Sequence, residues 1–149
     1  MSDSSQEQIK QRTFIKASPE KVYDTITSGD EWNKFFTHAT EVDARPGGHI
    51  TFRWQNWGPD SYSNEAGGPV VEADRPRRFV FQWGKNRTTV TFDLKAEFGG
   101  TSVTCTENGY SDSPEDVASM LDCASGWGEA VTLLKFYIEH GVVYTSPEK

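Results

Sequence analysis

After a polar start, residues 9–15 alternate in the way of a strand: Ile9, Thr13 and Ile15 fall on one side, Lys10 and Arg12 on the other. At residue 18 the period changes. "SPEKVYDTI" offers Ser18 as N-cap, Pro19 at the first helical position and Glu20 in the first turn, and Val22 and Ile26 stack four apart on one face. The spacing predicts a helix that Gly29 ends. A second short helix follows, capped by Asp30 and holding Trp32, Phe35 and Phe36.

From residue 41 the pattern shifts to period two. Residues 41–44 read as a short strand, and "RPGG" turns the chain at 45–48. "HITFRW" places Ile50, Phe52 and Trp54 on one face and His49, Thr51 and Arg53 on the other. "QNWGPDSYSNEAGG" reads as a loop. Residues 69–73 and 78–83 form a hairpin-like pair, broken at Pro76, which cannot donate to a ladder and restrains Arg75. Residues 88–98 and 101–108 form a longer pair joined at Gly99–Gly100, with Val90, Phe92 and Leu94 alternating on one strand and Val103 and Cys105 on its partner.

The final pattern is helical. Ser113 is placed as N-cap, Pro114 follows it, and Asp116 takes the N3 position of a capping box. Met120, Ala124, Trp127, Val131, Leu134 and Ile138 recur at alternating spacings of four and three, and Cys123, Ala130, Leu133 and Tyr137 widen the stripe. Gly141 sits where a C′ glycine ends a helix, beside His140 at the negative end of the dipole. Roughly 25 residues at about 1.5 Å each give a rod that crosses a whole small sheet. One strand, two short helices, about six antiparallel strands and one long helix predict an α+β fold. A curved antiparallel β-sheet with the long C-terminal helix laid across it buries both apolar faces. No repeat or linker divides the chain, so one domain over residues 1–149 is expected, with polar, loose ends at 1–7 and 145–149.

Composition narrows the function. Asp and Glu number 22 against 15 Lys and Arg, a net charge of −7, which argues against nucleic acid and against anionic membrane surfaces as partners. The opening "MSDSSQEQIKQR" has no apolar core and no run of about 18 apolar residues occurs, so a cytoplasmic setting is expected. Cys105 and Cys123 are too few and too spread for a disulfide framework or a Cys-rich zinc site, and read as two small hydrophobes. His38, His49 and His140 are scattered without HxxxH or HExxH spacing, so no metal and no cofactor is expected. The sequence has no GxSxG, and its glycine pairs at 47–48, 67–68 and 99–100 read as turns. "NRT" at Asn86 fits a glycosylation sequon but carries no weight without a secretion signal.

The aromatic residues carry the candidate chemistry. By alternation or stripe, Phe52, Trp54, Phe79, Phe81, Trp83, Phe92 and Trp127 point between sheet and long helix, with Val131 next along the stripe. Each ring buries on the order of 150–250 Å². They can fill that space, or line a pocket for a flat or greasy ligand. Both readings stand at this point. Gly126 and Gly128 flank Trp127, each at a cost of about 1 kcal/mol against alanine in a helix; a helix thinned over a pocket or close helix–sheet packing would account for them. Glu107 continues the Val103–Cys105 face inward, where a buried carboxyl orients a ligand or works as acid or base. Its other reading is a strand-end group that meets solvent or pairs with Arg53 or Arg78. Trp54 and Trp83 bring indole donors, Arg53 and Glu72 belong to the outer face, and Trp32, Phe35 and Phe36 form either a partner patch or a lid.

Six stretches in order carry a family resemblance: "SPEKVYD", "PGGHITF", "GPVVEADRPRRFVFQW", "TTVTFDL", "GTSVTCTENGY" and "GWGEAVTLLK". Over residues 9–141 the chain resembles the SRPBCC superfamily of START and birch-pollen-allergen proteins. Within it, the chain is most similar to single-domain homologues of the heat-shock-protein ATPase activator, the AHSA1-like branch. The resemblance implies the helix-grip fold, with two short helices after the first strand and a deep cavity between sheet and C-terminal helix. It implies no single reaction, because members bind lipids, hormones or polyketides and a few catalyse cyclisation or hydration. Many relatives have a histidine where Glu107 stands, so no role of that histidine carries over.

On this ground the expected function is binding of a small hydrophobic or aromatic molecule. The cavity lining would come from Trp32, Phe36, Phe52, Trp54, Phe79 and Phe81, then Trp83, Phe92, Glu107, Trp127 and Val131. One alternative is a cyclase- or hydratase-type enzyme using Glu107. Another is a co-chaperone-like regulator of a heat-shock ATPase, disfavoured because the chain has room only for the helix-grip domain. A homodimer through a strand edge or the outer sheet face is left open.

Overall fold

Three serines start the three helices of the protein, whose structure, a computed structural model, describes residues 8–85 and 87–146. Of the ends expected to be loose, 1–7 and 145–149, residues 1–7 and 147–149 lie outside the described residues, as does the Asn86 sequon. Helix α1 (Pro19–Ile26) begins where Ser18 Oγ accepts from the Lys21 N–H at 3.1 Å. Helix α2 (Gly29–Trp32) is capped by Ser28, whose Oγ accepts from the Glu31 N–H at 3.3 Å, and not by Asp30. Gly29 thus opens the second helix instead of closing the first. The reason is steric: a Cβ there would stand 2.0 Å from the Thr40 carbonyl oxygen. Helix α3 (Pro114–His140) starts at Ser113, which accepts from the Asp116 N–H at 3.1 Å. The Asp116 carboxylate turns to the Ser111 N–H at 2.8 Å, so the return bond of the capping box forms two residues before the cap. Gly141, at φ 67°, ends α3 with its N–H on the Tyr137 carbonyl at 2.9 Å.

Seven strands follow the alternating segments: β1 (Ile9–Ile15), β2 (Glu41–Val42), β3 (His49–Trp57), β4 (Tyr62–Asp74), β5 (Arg78–Trp83), β6 (Thr88–Glu97) and β7 (Gly100–Asn108). They form one curved antiparallel sheet in the order β1-β7-β6-β5-β4-β3-β2, which with α3 and the two short helices is the α+β helix-grip arrangement. Pairing β1 with β7 brings the start of the chain beside its last strand, and α3 then runs back along β1.

Three expectations need correction. Residues 55–68 are not a loop, because β3 runs on to Trp57 and β4 begins at Tyr62. Left-handed φ angles at Asn56 (53°), Gly58 (75°) and Ser61 (52°) close a tight arm whose outer half stays exposed, which is why its composition is polar. Gly67 and Gly68 lie inside β4. A Cβ on either would stand 2.6 Å from Ile50 O or 2.1 Å from Gln82 O, so neighbouring backbones, and no turn, demand the pair. The β6–β7 turn uses Phe98 and Gly99 (φ 52° and 75°), one residue earlier than expected, leaving Phe98 exposed at the tip.

Burial is uneven along α3. Trp127, Ala130, Val131 and Leu134 are buried, whereas residues 114–126 bury no side chain; Met120, Cys123 and Ala124 only lean on the core. Trp32, Phe35 and Phe36 are fully or nearly fully buried against the sheet, which removes the exposed-patch reading. Two glycine substitutions therefore have opposite signs. Gly29→Ala forces backbone apart and is expected to lose about 1–3 kcal/mol. A Cβ on Gly126 meets nothing within 4 Å, so Gly126→Ala is expected to gain about 1 kcal/mol from helix propensity alone. Urea unfolding midpoints of the two variants check both.

Candidate functional site

Alternation along β7 turns Val103, Cys105 and Glu107 to the inner face, and cross-strand register sets Glu107 between Ile9 of β1 and Val90 of β6. Glu107 is 1% exposed. Its carboxylate is met by donors from four directions. Oε2 accepts from Trp83 Nε1–H at 2.9 Å, from the Thr88 hydroxyl at 2.5 Å and from the Tyr110 hydroxyl at 2.8 Å. Oε1 accepts from Trp127 Nε1–H at 2.8 Å.

Local structure explains each donor. Trp83 and Thr88 are the pair that closes the β5–β6 ladder, so one register delivers both. Gly109, at φ 107°, turns the chain out of β7 and lets Tyr110 fold back on a residue three positions earlier. Trp127 is the first fully committed residue of the α3 stripe. Burying a carboxylate costs several kcal/mol, and only charge-assisted hydrogen bonds or a counter-ion offset that cost. Here the bonds do so. Among the described residues no Lys, Arg or His pairs with Glu107: Arg53 holds Glu41 and Glu65, and Arg78 holds Glu72 and Asp93, all on the partly exposed outer side. The strand-end reading of Glu107 is set aside.

The same surroundings shape the neighbouring groups. Burial, helped by the Cys123 contact and by Glu107, pushes the Tyr110 phenol far above its usual range. Burial first, then Glu107, raises the Cys105 thiol. Cys123 is raised by burial as well, which keeps both free thiols protonated and poor nucleophiles at neutral pH.

Around the carboxylate the predicted rings come together. Trp127 lies 5.2 Å from Trp83, 5.7 Å from Phe92 and 6.4 Å from Phe52. Phe52 is 5.3 Å from Trp83, 5.8 Å from Trp54 and 5.8 Å from Phe81, which touches Phe79 at 5.6 Å. Trp32 and Phe36 join through Phe52 at 5.2 Å and Trp54 at 5.7 Å. In the middle of the inner face the rings therefore meet ring on ring, and Val131 packs into the same cluster. Of the two indoles expected to donate, only that of Trp83 reaches Glu107.

Sequence reasoning missed Thr88, Tyr110 and Trp57. The bulge at Asn56 returns Trp57 to the face of Trp54 three residues on, so both touch Phe36, at 5.3 and 5.7 Å. Trp57 then donates to Glu129 of α3 at 2.7 Å and meets Tyr144 at 5.3 Å, tying the β3–β4 arm to the helix. The available signal was Asn56 and Gly58 on either side of Trp57, two residue types that accept left-handed backbone. A separate shallow depression beside α2, lined by Thr27, Ser28, Asp30, Thr40 and Glu41, has no buried ionisable group. Among the described residues no three His, Cys, Asp or Glu side chains are placed to hold a metal, and no helix is long and apolar enough to cross a membrane.

Residues 16–139 match the family model described as Activator of Hsp90 ATPase homolog 1-like protein. No curated protein sequence matches the chain. Among solved structures, the Aha1 dimer from Colwellia psychrerythraea is similar at 26% identity, over 90% of this chain and 97% of that one, with a TM-score of 0.74. A Staphylococcus saprophyticus protein gives 23% identity, 94% and 97% coverage and a TM-score of 0.74. A Mycobacterium smegmatis protein gives 18%, 95% and 97%, and 0.78. These last two show the fold alone.

Two consequences of the carboxylate cluster are measurable. Glu107→Gln turns one acceptor into an amide that faces donors, and is expected to cost about 1–3 kcal/mol in urea unfolding. The raised Tyr110 pKa gives a stability term that is complete below about pH 10, where the phenol is protonated folded and unfolded alike. Above that pH the unfolded phenol ionises first, so stability falls as pH rises, and Tyr110→Phe reduces the slope. Unfolding midpoints between pH 8 and 11 check the sign.

Proposed function

The chain belongs to the Activator of Hsp90 ATPase homolog 1-like family, and from that membership we propose that it is a small-molecule binding protein. Its ligand is hydrophobic or aromatic and sits between the sheet and α3, with Glu107 as the polar anchor. The observation that carries the reading is a fully buried carboxylate held by four donors inside an aromatic wall. Stability does not ask for such a group, since apolar side chains of similar volume commonly replace buried charges without loss. Apolar walls around a few fixed polar groups are the usual make-up of a small-molecule site.

Exposure supports an approach route. Trp54 and Trp83 keep 9% and 8% of their surface, against 0–2% for Phe52, Phe81, Phe92 and Trp127, so a ligand meets those two indoles first. Along α3, residues 114–126 bury no side chain, and Trp127, against Trp83, is the first that does. The proposed setting is the cytoplasm, in keeping with two unpaired thiols. A homodimer belongs to the proposal because the similar Colwellia protein is described as a dimer.

One contact favours a second reading, a cyclase- or hydratase-type enzyme: the Tyr110 hydroxyl donates to Glu107 at 2.8 Å, a pair able to pass a proton to a bound substrate. The receptor reading uses that contact only to hold the anchor.

Titration with the neutral fluorophore N-phenyl-1-naphthylamine tests the proposal. Saturable binding is expected, weakened about tenfold by Trp83→Ala, a loss of about 1.4 kcal/mol. Absence of saturable fluorescence would contradict it.

A further inference from the structure

Glu107 is an acid that the fold has taken out of water, and among the described residues no cation meets it. All its partners are neutral donors, and two of them, the Trp83 and Trp127 indoles, can do nothing but donate. The two oxygens are used unequally. Oε2 accepts three hydrogen bonds, while Oε1, with two lone pairs, accepts one among the described residues. One acceptor position on a buried carboxylate is thus open beside Trp127.

The rings next to it suit a positive charge. Trp83 and Trp127 lie 5.2 Å apart with their planes at 34°, and Trp54 is 6.1 Å from Trp83, so three electron-rich indoles gather on one side of the carboxylate. Indole faces are the best aromatic partners for a desolvated cation. The approach is acidic too. Between Gly109 and Leu134 the chain carries Asp112, Glu115, Asp116, Asp122 and Glu129 and no Lys, Arg or His, within a protein of net charge −7. A stretch of one sign attracts ions of the other. Lys85 and Arg87, in the β5–β6 turn between the Trp83 and Thr88 donors, are exposed and form no ion pair with Glu107. Directly before Trp127, a Cβ on Gly126 would meet nothing within 4 Å.

We infer that the ligand of this site is a planar organic cation, its charged edge against Glu107 Oε1 and its ring against the Trp83 and Trp127 indoles. The inference rests on the receptor reading above and adds the ligand's charge. Neutral and anionic rings of the same size lack the positive charge that pairs with Oε1, and the anion is repelled by the carboxylate itself.

Three fluorescent probes of similar size separate the outcomes: the cation thioflavin T, neutral N-phenyl-1-naphthylamine and the anion 1-anilinonaphthalene-8-sulfonate. Thioflavin T is expected to bind at least about tenfold more tightly than the neutral probe, about 1.4 kcal/mol, with the sulfonate weakest. In Glu107→Gln the ratio of cation to neutral affinity is expected to fall to about one. A neutral probe that binds as well as the cation overturns the charge preference and leaves the receptor reading standing. If no probe binds, both fall. Should Glu107→Gln fail to fold, the wild-type indole ¹⁵N–¹H resonances decide. Thioflavin T is expected to shift those of Trp83 and Trp127, and unmoved signals with bound dye overturn the inference.

Discussion

A carboxylate buried among aromatic rings is tolerable only while its hydrogen bonds hold, and in this protein those bonds come from the end of β5, the start of β6, the exit of β7 and the middle of α3. The arrangement couples elements that the sheet ladder alone leaves separate. Closing the β5–β6 turn, folding Tyr110 back and seating α3 each complete part of the Glu107 shell, and loss of any one leaves a buried charge short of a partner. Networks of this kind make geometry unique more than they add stability. That uniqueness is what a binding site needs, because an anchor that drifts by an ångström recognises nothing.

The aromatic cluster sets the rest of the design. The rings pack against one another through the middle of the sheet, so the core there is solid and dense. Helix α3 is clamped to it from Trp127 onward and held further along by Tyr137, whose hydroxyl donates to Glu31 and whose ring stacks on Phe35. The turns before Trp127 are held by less: the Gln11 amide of β1 donates to the Ala124 carbonyl at 3.0 Å, and none of their side chains is buried. One rod therefore has a fixed half and a lightly held half, and the division falls at Glu107. Local openings draw on segments with few buried contacts, which places adaptability beside the anchor without loosening it. The arm carrying Trp57 reaches Glu129 from the opposite side and bounds the same region.

How much of this was legible follows from which forces write themselves into local sequence. Helix ends did, because Ser18–Pro19, Ser113–Pro114 and Gly141 act through their own backbone neighbours. Inward alternation of Phe52, Phe81, Phe92 and Glu107 did as well, since a pleat reverses at every residue. What stayed hidden depends on partners distant in sequence. Gly67–Gly68 resembles a turn until Gln82 and Ile50 are seen crowding it. The β3–β4 arm resembles a polar loop because its tip is solvated on both faces and its bulge breaks the period. Thr88 and Tyr110 gave no signal, because a lone hydroxyl beside a strand end acquires a role only when the register brings it to a carboxylate. The contact that defines the site was half visible: the acid was foreseen, its company was not.

The central claim is that Glu107 anchors a ligand against the Trp83 and Trp127 indoles. A crystal structure of the protein grown with thioflavin T tests it most directly. The account predicts dye density against Trp83 and Trp127 with its charged nitrogen side toward Glu107 Oε1 and the 114–126 turns displaced outward. Dye bound elsewhere, with the rings around Glu107 closed and α3 unmoved, would contradict it.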